Sequence, residues 1–184
     1  MKKKGLKMLK YFYLALFLSF VELFASAIKM PNGMMANFLQ KVTNQQKKVL
    51  KYSGKILIWK NKIKWTYTKP SKKEVCSDGK RLIVVDHDLE QVGFYKMNKS
   101  FNLQQIIKNA KHHKDNIYVA RYQKKNYTIA IDKRGLISQI AYHDDMDNVV
   151  NIHFNNIKIL KKAPSSNSLM CQYPSSYDLL GGDL

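Results

Sequence analysis

At 184 residues the chain has material for one domain with a real core but not comfortably for two. Its 32 Lys and Arg against 13 Asp and Glu leave a formal charge of +19. The lysines are scattered over many strand-like segments with no recognition motif beside them, which excludes a nucleic-acid partner and leaves anionic lipid or acidic protein surfaces.

Residues 1–10 are basic, residues 11–24 are apolar, and Ala25, Ser26 and Ala27 follow. Small residues three and one positions before a cut are what signal peptidase accepts, so 1–27 is expected to be a signal peptide cleaved after Ala27, leaving a single domain at 28–184. As a membrane anchor the run is short of the roughly 20 residues a span needs, and Glu22 interrupts it. Losing its five lysines and one glutamate takes the charge from +19 to +15. No cysteine follows the cut, so an N-terminal lipid anchor is not expected. Cys76 and Cys171 are the two cysteines of the chain; they could pair in an oxidising compartment or stay as buried thiols, and the sequence leaves both open.

Residues 28–33 are turn-like. In the stretch that follows, Met34, Met35, Phe38 and Val42 make a helical stripe that periodicity favours over a strand by a small margin. Residues 48–60 predict a strand with Tyr52, Gly54, Ile56 and Ile58 on one face, the glycine permitting a bend or bulge. Residues 63–68 alternate apolar and polar, the period of a strand with one buried and one wet face, and Pro70 and Ser71 close it. Ser77, Asp78 and Gly79 offer hairpin geometry between KKEVC and KRLIVV. Asp86, Asp88 and Glu90 lie in DHDLEQ, which has the composition of a hairpin corner.

Residues 100–113 read as the best helix, with Ser100 as N-cap, an apolar stripe of Leu103, Ile106, Ile107 and Ala110, and Lys and His at the end that favours cations. Strands resume with NIYVARYQ and NYTIAID, where Tyr127, Ile129 and Ile131 share a face. A turn at Lys133, Arg134 and Gly135 leads to LISQIAYH, with Leu136, Ser138, Ile140 and Tyr142 aligned. His143, Asp144, Asp145 and Asp147 fall between two strands, where Asp and Asn shape turns rather than gather round a metal. NVVNIHFNNIKI aligns Val150, Ile152 and Phe154; 164–168 is a loop, SLMCQYP a last short strand, and 175–184 a tail. About ten strands with few helices and hairpin-length connections predict a mainly β, antiparallel, strongly curved sheet or barrel.

No glycine-rich phosphate loop, GxSxG elbow or HExxH occurs, and the five histidines stand apart from the cysteines in sequence. No catalytic residue, metal site or cofactor is expected, and the chain does not read as an enzyme.

Taken together, the motifs resemble those of the outer-membrane lipoprotein carrier proteins, the periplasmic LolA family. The matching elements are Gly54 in the second strand, the aromatic strand 65–70, Ser77, Asp78, Gly79 and Lys80, then Leu89, Glu90, Gln91 and Val92. Further matches are Phe38 with Gln40, Asp132 with Gly135, and the run Cys171, Gln172, Tyr173 and Pro174. The likeness spans nearly the whole mature chain and lies in order and spacing rather than in one motif.

The resemblance implies an incomplete antiparallel β-barrel with a helical lid over a hydrophobic cavity, and it makes 35–42 a first strand against their periodicity. It implies a periplasmic, monomeric chaperone for the acyl chains of outer-membrane-directed lipoproteins. Its partners would be an inner-membrane lipoprotein-releasing ABC transporter and an outer-membrane acceptor. Strand parity and the family pattern together assign Phe38, Ile56, Ile58, Ile63, Trp65, Tyr67, Ile140, Tyr142 and Phe154 to the lipid-binding cavity, with Leu103, Ile106 and Ile107 on its lid side. Two departures stand out. The Arg-Pro pair that latches the lid in the family is missing; one alignment puts Lys60 at the arginine and the other puts Trp59 there. Lysine there would donate to lid carbonyls without arginine's bidentate fork. Only residues 28–33 precede the first strand, so the N-terminal part of the lid is expected to be shortened or absent. The competing expectation is a secreted β-sandwich, a structural or surface-interaction protein with a dry aromatic core and no lipid cargo.

Overall fold

The computed structural model describes residues 28–96 and 102–181; the expected signal segment at 1–27 and the expected N-cap Ser100 lie outside the described residues. Twelve strands build one sheet: β1 (Gly33–Thr43), β2 (Val49–Trp59), β3 (Lys62–Lys69), β4 (Lys73–Ser77), β5 (Arg81–Asp86), β6 (Gln91–Lys96), β7 (Lys111–Lys114), β8 (Ile117–Tyr122), β9 (Lys125–Ile131), β10 (Ile137–His143), β11 (Val149–Ile159) and β12 (Asp178–Leu180). A single α-helix among the described residues, α1 (Leu103–Lys108), interrupts them.

The order across the sheet is β12-β6-β5-β4-β3-β2-β1-β11-β10-β9-β8-β7. From β1 to β6 the chain meanders outward; after α1 it restarts at the far edge and meanders back until β11 pairs with the free side of β1. Pairing is antiparallel except where β12 lies parallel to β6. Hydrogen bonding runs unbroken through all twelve strands, so the fold is one curved open sheet and not the two stacked sheets of a sandwich.

β1 forms a strand although its periodicity leans to a helix. Met34, Ala36 and Phe38 alternate inward and are buried, while Leu39 is exposed, and two neighbouring strands satisfy its backbone on both sides. Such long-range pairing outweighs a weak local preference.

Curvature comes from irregular register at Met35/Asn37, Ser53/Gly54 and Ile137/Gln139, since each bulge bends its strand. Gly54 also has a steric role. A Cβ there would overlap the Thr66 carbonyl oxygen and lie 2.9 Å from the Phe38 ring, because Phe38 is its cross-strand partner and leans over it.

Two segments differ from expectation. The helix expected at 100–113 is confined to α1: Asn102 caps it and Asn109 ends it, and the following residues, His112 and His113 included, become the exposed edge strand β7 by pairing with β8. SLMCQYP is not a strand. The sheet beside it, β3 and β4, is already paired on both edges, so the segment forms a 3₁₀ turn at Ser166–Leu169 and lies across the outer face instead. There Cys171 is disulfide-bonded to Cys76 with Cα atoms 5.7 Å apart. Lys64 Nζ donates to the Met170 carbonyl at 2.8 Å, and the Gln172 amide donates to Glu74 at 2.9 Å. What reads as a tail then ends in β12.

Candidate functional site

The concave side of the sheet gathers one continuous apolar cluster. Of the twelve residues expected to line a cavity, Phe38, Ile56, Ile58, Trp65, Leu103, Ile106, Ile140 and Phe154 are buried in it. Ile63, Tyr67, Ile107 and Tyr142 are half-buried and pack against it, so all twelve meet on one face. Aromatic rings form its centre: Phe38 meets Trp65 edge-on at 5.0 Å and Tyr67 at 4.9 Å, and Trp65 reaches Phe154 across the curl at 5.9 Å.

Sequence reasoning left out several members. Tyr127, Ile129 and Ile131 of β9 and Val150 and Ile152 of β11 belong to the cluster, and their parity was visible. Tyr118 and Ala120 alternate with exposed Val119 and Arg121, a signal that could have found them. Met34 and Ala36 were hidden by the helix-like spacing of β1.

α1 closes this face. Leu103 and Ile106 are wholly buried, and the Asn102 side chain accepts from the Gln105 amide at 3.1 Å. At the far end Asn109 donates to the Arg121 carbonyl at 3.4 Å. Near its start the Gln104 side-chain amide donates to the main-chain carbonyl of Lys60. The connection at position 60 therefore runs from the lid to a backbone oxygen, while the Lys60 side chain is exposed and its backbone is left-handed, with φ 54°. Trp59, the other aligned position, lays its ring over Gly33.

Where a first lid helix was expected to be short or missing, residues 28–32 are non-helical. The Lys29 amide donates to the Gly135 carbonyl at 2.8 Å, and Ile28 and Met30 pack onto the apolar cluster.

Burial governs the tyrosines here. It pushes Tyr67 up to about 12, with Tyr52 adding to the effect, and it raises Tyr142 further, helped by Tyr67 and Tyr127. Both hydroxyls thus stay protonated at any ordinary pH.

The polar corners are structural. Asp144 accepts from the Met146 and Asn148 amides, both at 2.9 Å, which makes the acidic patch a hairpin turn. Asp86 accepts from the Asp88 and Leu89 amides at 3.2 Å in the β5–β6 corner. The one metal-type cluster among the described residues, Glu74 with Cys76 and Cys171, has its sulfurs bonded to each other.

Comparison with known proteins agrees with this architecture. A LolA superfamily protein from Nitrosomonas europaea has a solved structure of like fold, with TM-score 0.53 and 10% identity over 80% of this chain and 94% of that one. A carrier described as an outer-membrane lipoprotein carrier protein, from Campylobacter jejuni, is 33% identical over 172 residues, 94% of this chain and 99% of its own. One of the same description from Wolinella succinogenes is 24% identical over 145 residues, 78% of this chain and 84% of that one. The family model for the outer membrane lipoprotein carrier protein LolA matches residues 29–120. With a curled sheet, an apolar inner face under a helix, and a relative matched along almost its entire length, the chain belongs to the LolA family of outer membrane lipoprotein carrier proteins.

Proposed function

We propose that this chain is a periplasmic lipoprotein chaperone. It takes up the acyl chains of lipoproteins released by an inner-membrane ABC transporter, shields them from water, and hands them over at the outer membrane to an acceptor. It acts as a monomer, needs no cofactor and catalyses no reaction; residues 1–27 are its secretory signal, removed after Ala27. Phe38, Ile56, Ile58, Ile63, Trp65, Tyr67, Ile140, Tyr142 and Phe154 line the acyl site, and Leu103, Ile106 and Ile107 face it from the lid.

The observation that supports this reading most is the mismatch between the apolar face and its cover: a cluster drawn from strands on both sides of β1 is closed by a helix of six residues. A buried methylene is worth about 0.8 kcal/mol, so a chain of about fifteen of them gains on the order of 12 kcal/mol by leaving water. Two buried lid side chains gain roughly 3–6 kcal/mol by closing. A ligand with that advantage for the open form shifts the lid without any further device.

The test is mass spectrometry of the protein isolated from periplasm, which should find triacylated lipoproteins co-purifying and an N-terminus at Ile28. Ile140→Glu should lose them while its circular dichroism stays that of a β protein. A wild-type preparation free of lipoprotein would overturn the reading.

A further inference from the structure

One buried side-chain polar atom among the described residues finds no hydrogen-bond partner in the protein: the hydroxyl of Tyr118, a residue 5% exposed on β8. Its surroundings explain why. Tyr118, Ile129, Ile140 and Ile152 stand side by side across β8, β9, β10 and β11, and Leu103 and Ile106 of α1 belong to the same apolar cluster. None of these aliphatic side chains carries an acceptor. β8 pairs with β7 on one side and β9 on the other, so the main chain around Tyr118 is committed to the two ladders. The His112 ring meets Tyr118 edge-on at 5.2 Å, but its Nε2 is held 2.9 Å from the Asp115 carbonyl. By contrast, Tyr67 gives its proton to Gln40 at 3.0 Å, and Tyr177 pairs with the His87 ring at 3.2 Å.

Phenylalanine would pack the same ring at position 118 without the cost of an unpaired hydroxyl. The place of that hydroxyl in the fold narrows what its partner can be. β8 lies one strand in from the sheet edge at β7, whose residues are all exposed, and α1 packs against β8. The inner face thus changes from wet to apolar within one strand, and the orphan donor stands at that border. A ligand group seated there must accept a hydrogen bond and, with no acceptor beside it, must bring no donor of its own. An ester carbonyl meets both conditions. An amide fails the second, since its N–H would be left unpaired in turn, and a carboxylate would carry a charge into an apolar cluster.

We propose that Tyr118 is the polar anchor of the acyl site, its hydroxyl donating to an ester carbonyl at the root of a fatty chain. The chain then lies along Ile129, Ile140 and Ile152, and the polar head leaves across β7. With α1 closed on an empty site the hydroxyl is unpaired, and with cargo seated it is paired, so this donor favours the loaded state over the empty one. The proposal rests on the acyl-carrier reading and adds to it which bond of the cargo is recognised and where that bond sits.

The experiment titrates two probes into the purified, delipidated protein by calorimetry. One is a synthetic cysteinyl peptide carrying two palmitoyl chains through ester links and a third through an amide; the other is its analogue with hexadecyl ethers in place of the two esters. Wild type should bind the ester probe about fivefold to tenfold more tightly, the usual worth of a single hydrogen bond. Tyr118→Phe should lose that preference while keeping wild-type affinity for the ether probe. In urea unfolding the empty Tyr118→Phe protein should be the more stable one, by about fivefold in the folding equilibrium, because the unpaired donor is gone. Tyr173→Phe, on the outer segment beyond Cys171, should leave both readings at wild type and controls for loss of a tyrosine as such. If Tyr118→Phe destabilises the empty protein, weakens both probes alike or keeps the preference, the hydroxyl is no anchor and the proposal is wrong. If wild type binds both probes equally, the anchor falls and the carrier reading stands; if it binds neither, both fall.

Discussion

Truncating Ile106 to alanine should free α1 from the sheet. Leu103 and Ile106 are the fully buried side chains of α1, each worth roughly 1.5–3 kcal/mol by burial. The bonds from Asn102, Gln104 and Asn109 add about 0.5–1.5 kcal/mol each. Fixing six backbone residues costs about 1–2 kcal/mol apiece, so closure lies within a few kcal/mol of balance. A truncation that costs about 2–5 kcal/mol at a buried site is enough to open the lid most of the time. Hydrogen exchange read by mass spectrometry should then show the amides of 103–109 losing at least thirtyfold of their protection, about 2 kcal/mol on the same scale. The amides of β1, β2 and β11 should stay protected, and the urea midpoint should move by less than about 1 kcal/mol of stability. If the midpoint instead falls by the full amount and 103–109 exchange only on global unfolding, α1 is part of the core and does not open separately.

Gly54→Ala should lose about 2 kcal/mol or more in urea unfolding, because the new methyl meets backbone at Thr66 and the Phe38 ring, and the two strands must part. Lys60→Arg and Lys60→Ala should both bind a synthetic triacylated cysteinyl peptide like wild type, since the bond from α1 uses the carbonyl of position 60; a tighter arginine variant would restore the side-chain latch. Cys76→Ser should lower stability by up to about 4–5 kcal/mol, the chain-entropy worth of a loop closed across 95 positions, and added reductant should then change nothing further. Tyr67 titrates at about 12 in the fold against 10.0 in the unfolded chain, which therefore releases its proton first. Its contribution should be complete below pH 10.0 and decline as pH rises through about 12; Tyr67→Phe should flatten that decline in alkaline unfolding curves.

Most of the candidate face was legible because its strands keep a strict period of two. Ile63, Trp65 and Tyr67, or Val150, Ile152 and Phe154, can point one way only, and knowing one fixes the rest. What sequence reading lost was decided by pairing rather than by pattern. Residues 34–42 carry a helix-like stripe, yet two partner strands claim their backbone. His112 and His113 look like the cationic end of a helix, yet the open edge of β8 recruits them. Cys171 has strand-like neighbours and no free edge to join.

The double pairing of β1 gives the order of synthesis a consequence. β1 and β2 close on a short local turn at 44–48, within microseconds, whereas Phe38 waits for Phe154 until nearly the whole chain has been made. During that wait the N-terminal meander offers a naked edge, the kind of template on which other chains pile up. On the outer side of this edge Lys41 sits directly opposite Lys51, a like-charge pair that costs the finished fold a few tenths of a kcal/mol. A second copy docking in register would bring its own lysines into the same row. The pair thus acts as a guard on an unfinished seam, and its small permanent cost protects the chain for the interval before β11 arrives.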